Sequence, residues 1–272
     1  MASVYKPEME YFSSPMEWIH RRINSMDFYF ITNQDRESKE VEVAFRITGK
    51  VPEIWDPATG EMNEAESWHI KDGRTTVRQH FDSAESLFFV FRKEAGKHEA
   101  GAATRKTFKV EPLAVLDTWT LYFPPKLGAP DSIKMNDLAS LSLHFVPGIK
   151  YFSGTVAYRN RFTLKELPQT GKIILNLGSV YNLAEVWINN EKLGVLWKPP
   201  FNIDITRVVR RGENDIRVDV TNTWKNRLIG DAGLPKQERI GWTLARETWF
   251  DPATQPEPAG LLGPLQLIHN RK

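Results

Sequence analysis

The residues of this chain whose types could do chemistry gather at the end of one regular strand pattern and in the long segment behind it. Asn222, Trp224, Asn226, Arg227 and Asp231 leave the strand, and Trp242, Arg246, Glu247 and Trp249 fill the segment that follows. Sugars suit this mixture. An indole face packs against the apolar C–H face of a pyranose, while Asn, Asp and Arg meet its hydroxyls. Trp and Arg also staple long loops to a sandwich, and the sequence leaves both readings open. The candidate carbohydrate-contact set is therefore Trp224, Asn226, Arg227, Asp231, Trp242 and Trp249. A glycosidase would need two carboxylates flanking one bond, and Glu185, Asp204, Asp219, Asp231, Glu238 and Glu247 are available. Glu185, Asp204 and Asp219 occupy outward positions of strand patterns, where solvated or ion-paired roles are the ordinary outcome. There is no Gly-rich phosphate loop and no nucleophile-elbow Ser, and the six histidines never fall at helical metal-binding spacing, so no catalytic residue, cofactor or metal is assigned.

The elements that must position these residues are strands. Val186 and Ile188 share one face while Glu185, Trp187 and Asn189 take the other; Phe201, Ile203 and Ile205 alternate with polar residues, as do Ile216, Val218 and Val220. Asn189-Asn190 suits the positive-φ pair of a tight hairpin turn, with Glu191 to Trp197 pairing back antiparallel. Upstream, Ser153 to Leu164 reads as a strand with Val156, Tyr158, Phe162 and Leu164 on one face, and Leu261 to Ile268 as a closing strand. From Ser14 to Arg92, short strands at 26–32, 39–47, 68–71, 74–81 and 86–92 predict a smaller sandwich, with Val41, Val43, Phe45 and Ile47 facing its core. Asp56-Pro57-Ala58-Thr59-Gly60 reads as a turn. Residues 93–107, poor in large apolar side chains, read as a solvated linker, which divides the chain into 1–105 and 106–272. After Asp231, roughly thirty residues of loop-like composition exceed what a connector needs, which marks them as a working surface.

With 41% hydrophobic residues in 272, the chain can bury a sizeable core. Its 36 basic and 34 acidic side chains are interspersed and give a formal charge of +2, so no extended basic face is expected and nucleic acid is not an expected partner. Zero cysteines exclude disulfides and thiolate metal sites and leave the compartment open. Neither a signal-type apolar stretch nor a membrane-spanning run is read, and no membrane partner is expected.

The run "LNLGSVYNLAEVWINNEKLGVLWKPPFNIDIT", followed by "RGENDIRVDVTNTWKNRLIGD" and closed by "GLLGPLQLI", resembles the sugar-binding jelly-roll domain of glycoside hydrolase family 2 and its relatives. Together with "WIHRRINSMDFYFITN" and "IWDPATGE" upstream, it resembles more closely the C-terminal region of bacterial family 106 α-L-rhamnosidases. The resemblance implies an all-β fold of two β-sandwich domains, the second a galactose-binding-like jelly roll. It also implies a carbohydrate ligand, a catalytic barrel as partner in cis or in trans, and a periplasmic or extracellular place if the parent enzyme is exported. In that family the catalytic carboxylates and a calcium ion belong to the barrel, which the match does not include, so no catalytic position is carried over. Three readings follow: a non-catalytic binding and scaffolding region, a free-standing carbohydrate-binding protein, or a self-sufficient hydrolase with an inter-domain cleft. Within the matched segments, Trp197 is expected as a buried strand-end anchor, with ligand contact as the alternative, and Trp18 as a packing residue; His20, Arg21 and Arg22 are expected as a strand start with solvated arginines, with the alternative, implied by the resemblance, that this segment packs on the barrel or approaches its active site.

Overall fold

The computed structural model describes residues 9–12, 16–35, 37–96, 99–100, 108–115, 117–167, 171–245 and 249–270. The chain is all-β and divides into two compact units, residues 1–105 and 106–272.

Among its described residues the first unit holds ten strands: β1 (Met9–Phe12), β2 (Glu17–Ile23), β3 (Met26–Thr32), β4 (Lys39–Phe45), β5 (Lys50–Trp55), β6 (Met62–Glu64), β7 (Trp68–Lys71), β8 (Arg74–Phe81), β9 (Ser86–Glu94) and β10 (Glu99–Ala100). They form two five-stranded sheets, ordered β1-β4-β8-β7-β10 and β2-β3-β9-β5-β6. The period-two pattern of β4 explains the core: Val41, Val43 and Phe45 are buried against Tyr29, Ile31, Phe89 and Phe91 of the facing sheet. Trp18 packs on this core, and the Asp56 turn closes through the Gly60 amide donating to the Asp56 carbonyl at 2.8 Å.

The reading of 93–107 as solvated linker needs correction at its start. Lys93 and Glu94 complete β9, and Glu99–Ala100 pair with His69 and Trp68. A ladder is made by backbone groups, so an edge segment can join it without apolar side chains. Residues 97–98 and 101–107 lie outside the described residues.

Glu53 on β5 is a buried carboxylate, 3% exposed, that accepts from Arg92 Nε at 2.6 Å and Nη2 at 3.3 Å and lies 2.7 Å from Lys93 Nζ. Burial pushes its pKa up, but the hydrogen bonds and charges of Arg92 and Lys93 outweigh burial and hold it below its ordinary value of 4.5. A carboxylate depressed in the folded state binds its proton more readily when unfolded. The stabilisation is thus complete above about 4.5 and is lost as pH falls through the lower folded value. Thermal melts of the first unit between neutral pH and pH 3 should show this loss, and Glu53→Gln should flatten it; identical pH slopes for both proteins would contradict the assignment.

Among its described residues the second unit has twelve strands: β11 (Phe108–Pro112), β12 (Trp119–Tyr122), β13 (Ser132–Met135), β14 (Thr155–Leu164), β15 (Lys172–Asn176), β16 (Ser179–Tyr181), β17 (Leu183–Ile188), β18 (Glu191–Leu196), β19 (Asn202–Asp204), β20 (Gly212–Thr221), β21 (Gly260–Gly263) and β22 (Gln266–Asn270). Two short helices, α1 (Pro147–Lys150) and α2 (Lys225–Ala232), interrupt them. A six-stranded sheet, β13-β12-β14-β20-β17-β18, and a four-stranded one, β11-β22-β15-β19, enclose the core, while β16 pairs with β21. The predicted faces are the buried ones: Val156, Tyr158, Phe162 and Leu164 of β14, and Ile216, Val218 and Val220 of β20. Asn189 and Asn190 sit at φ 51 and 68 in the hairpin turn, as its sequence predicts. The single closing strand expected over 261–268 is instead two, β21 and β22, in different sheets. Pro264 between them has no N–H to donate, which ends one ladder before the next begins.

Candidate carbohydrate-contact edge

The longest pairing of the second unit, β14 with β20, runs without a break from Thr155↔Thr221 to Leu164↔Gly212. It delivers the chain after Thr221 to a fixed edge of the sandwich. There Asn222 bridges the neighbouring loop, its amide donating to the Phe152 carbonyl at 2.9 Å and its oxygen accepting from the Gly154 amide at 2.8 Å. Helix α2 follows at once. The sequence did not announce it, because Trp224 stands at its N-cap without a capping side chain. Its free amides are satisfied from elsewhere: Ser153 Oγ accepts from the Arg227 amide at 3.1 Å.

The six candidate residues separate into two groups. Asn226, Arg227 and Asp231 are 3%, 5% and 2% exposed and face inward from α2. Asn226 clamps residue 257, donating to the Glu257 carbonyl and accepting from its amide, both at 2.8 Å. Arg227 donates to Asp231 Oδ1 and to the Leu127 carbonyl, each at 3.3 Å. Asp231 Oδ2 accepts from the amides of Ile240 at 3.0 Å and Gly241 at 2.5 Å. Asn226 and Asp231 thus spend their polar atoms holding residues 257, 240 and 241 against the helix, and Arg227 ties the helix to Leu127, where a displaced partner would leave a buried group unmatched. Trp224, Trp242 and Trp249 are instead 48%, 82% and 70% exposed. Arg246 and Glu247 lie outside the described residues.

The same edge carries residues that sequence reasoning missed. Leu143 and Phe145 are largely bare, and their segment is tied to the end of the long loop by Ser140 Oγ accepting from the Ala259 amide at 3.0 Å and by the Leu141 amide donating to the Ala259 carbonyl at 2.9 Å. The only signal was an apolar cluster, "SLSLHFVPG", between two loops. Trp197, expected as a buried anchor, is more than half exposed. It lies just past the end of β18, which among the described residues is the outermost strand of the six-stranded sheet.

The strand carboxylates are committed to neighbours. Glu185 contacts Lys192 and accepts from Trp187 Nε1 at 3.1 Å, and these hydrogen bonds hold its pKa below the usual range against partial burial. Asp204 is raised by burial but brought lower overall by Thr206 and Lys172. Asp219 receives both Arg217 nitrogens, at 2.7 and 2.5 Å.

Residues 5–70 match the alpha-L-rhamnosidase family, glycoside hydrolase family 106, and residues 150–244 match the glycosyl hydrolase 2 galactose-binding domain-like family. The chain is therefore similar to α-L-rhamnosidase-type glycoside hydrolases, and its second unit is a galactose-binding-like domain. Among solved structures, a rhamnosidase from Novosphingobium sp. PP1Y superposes with a TM-score of 0.86 at 34% identity, covering 97% of this chain and 25% of that one. A putative beta-glucuronidase of Formosa agariphila is 44% identical over 180 residues, 58% of this chain and 16% of the relative. The chain thus spans a quarter or less of the length of either relative.

Proposed function

We propose that this chain is the non-catalytic, carbohydrate-binding and scaffolding region of an α-L-rhamnosidase-like glycoside hydrolase, working beside a catalytic barrel supplied in cis or in trans. One observation carries the sugar contact: three exposed indoles, Trp224, Trp242 and Trp249, stand on a loop edge whose backbone is held by the buried side chains of Asn226, Arg227 and Asp231. The indoles supply stacking faces, and the clamp keeps them in place at little further entropic cost when a ligand arrives. Few polar groups converge there and water competes for every hydroxyl, so affinity for a monosaccharide is expected near millimolar, about 4 kcal/mol. The match of the second unit to galactose-binding-like domains and of the whole chain to a rhamnosidase supports this reading.

Ligand-detected NMR with L-rhamnose and with galactose is the test. Trp224→Ala should leave the circular dichroism spectrum and melting temperature within a few degrees of the parent, because the side chain is half exposed, and should weaken binding about tenfold. A folded variant with unchanged binding would remove the site, and a variant that unfolds the second unit would assign Trp224 to packing. Purified chain should not hydrolyse aryl α-L-rhamnosides; turnover abolished by one carboxylate substitution would overturn the non-catalytic part.

A further inference from the structure

In an antiparallel sandwich each sheet ordinarily turns one face to the core and a polar face to water. The sheet β1-β4-β8-β7-β10 of the first unit follows that rule: Glu40, Glu42, Thr76, Arg78, His69 and Lys71 alternate with its buried residues. The opposite sheet, β2-β3-β9-β5-β6, follows it only in part, with Glu17, Arg21, Glu53 and Glu64 on its outer face beside an apolar row. Behind the core face of Tyr29, Ile31, Phe89 and Phe91, its outer face carries one row of apolar side chains across all five strands, through the register pairs Ile19↔Phe30, Phe30↔Phe88, Phe88↔Trp55 and Trp55↔Met62. With strands about 4.8 Å apart, this row is about 19 Å long. Phe28 and Val90 lie opposite one another in the next row, which starts at Arg21 and continues to Glu53 and Glu64, and Val90 has no exposed surface. At the margins Ile19, Ile23 and Met62 are 52%, 55% and 59% exposed. Between these exposed margins Phe28, Phe30, Trp55 and Phe88 are half-buried.

Two observations say what fits it. The first is charge: on the same face, beside Phe28, stands the exposed Arg21, which donates to the His20 carbonyl at 2.9 Å and has no carboxylate partner among the described residues. The second is length: the Novosphingobium rhamnosidase that matches 97% of this chain is covered over only 25% of its own, so three quarters of that polypeptide accompanies a similar pair of units. A sugar does not fit here. The rings are tilted against one another, Phe30 and Phe88 at 51° and Phe28 and Trp55 at 75°, and Arg92 already lies over Trp55 at 5.2 Å, so no flat open platform exists for a pyranose.

We propose that the outer face of β2-β3-β9-β5-β6 is the docking surface for a further protein domain that presents an apolar patch with a carboxylate at its margin opposite Arg21. The inference rests on the scaffolding half of the function proposed above, and it is tested without any sugar, so failure of docking and failure of sugar binding are read separately.

The absence of native cysteine makes the face directly measurable. Ile19→Cys and Met62→Cys are made in the full chain, with Glu42→Cys on the polar sheet as control. Each is also made in a Novosphingobium rhamnosidase whose matched quarter is replaced by this chain. Maleimide alkylation is followed at the introduced position by peptide mass spectrometry. Docking predicts that positions 19 and 62 react at least tenfold more slowly in the chimera than in the free chain, while position 42 reacts equally in both. Adding Arg21→Glu, or Ile19→Glu beside Met62→Cys, should restore the fast rate; these positions are exposed, so the variants keep the fold. Equal rates at 19 and 62 in both proteins would overturn the proposal. So would protection in the free chain that disappears on dilution, which would assign the face to a second copy, or protection that survives both glutamate variants.

Discussion

Asp231→Ala is expected to cost the second unit about 3–5 kcal/mol, the range for removing one partner of a buried ion pair. Asp231 and Arg227 are 2% and 5% exposed, so water cannot take over the lost carboxylate. The substitution leaves the Arg227 guanidinium with the Leu127 carbonyl as its acceptor among the described residues, and strips the Ile240 and Gly241 amides of theirs. Asp231→Asn should cost less, because its oxygen can still accept from the amides while the charge is gone. Urea unfolding followed by tryptophan fluorescence measures both, since Trp224, Trp242 and Trp249 all belong to the segment that would loosen. If Asp231→Ala costs less than about 1 kcal/mol, the clamp does not hold the edge and the sugar-contact reading loses its scaffold.

The second large effect is at Gly260, where φ is +98 and an added Cβ would lie 2.3 Å from Tyr158 Oη. Tyr158 is fully buried, and burial raises its pKa far above the ordinary phenol range. Its hydroxyl makes no well-formed hydrogen bond, although the Leu261 backbone is close enough to temper that shift. Gly260→Ala therefore combines a left-handed backbone with a collision that the packed ring cannot leave, for about 2–4 kcal/mol. Tyr158→Phe alone should be neutral or stabilising by up to about 1 kcal/mol, because it removes a buried hydroxyl that lacks a good partner. In the Tyr158→Phe background, part of the Gly260→Ala cost should return, a coupling that a double-mutant cycle reads directly. Additive effects would show that backbone strain, not the hydroxyl, sets the cost.

Much of the fold is legible in the sequence because strand patterning is local. Val41, Val43 and Phe45, or Ile216, Val218 and Val220, declare their buried side by alternation alone, and Asn189-Asn190 declares its turn by the two residues that tolerate positive φ. The break at Pro264 was also written there, but the apolar residues on both sides of it, Leu261, Leu262, Leu265 and Leu267, hid it, and only the sheet pairings separate β21 from β22.

The candidate site is different. Sequence placed Trp224, Asn226, Arg227, Asp231, Trp242 and Trp249 near one sandwich edge from chain direction, and tertiary structure decided which of them face water. Residue type does not carry that information: Asn226, Arg227 and Asp231 are buried because Glu257, Leu127, Ile240 and Gly241, all distant or later in the chain, meet them with matching donors and acceptors. Trp197 reads as a core residue for the same reason in reverse, since hydrophobicity is a property of the side chain and burial is a property of its neighbours. The two-sided apolar character of β3 and β9 was present in "MDFYFIT" and "SLFFVFRKE" from the start. Which of the two sides is core became decidable only when the facing sheet was in place, because alternation sorts residues into two sides and cannot say which side another layer covers.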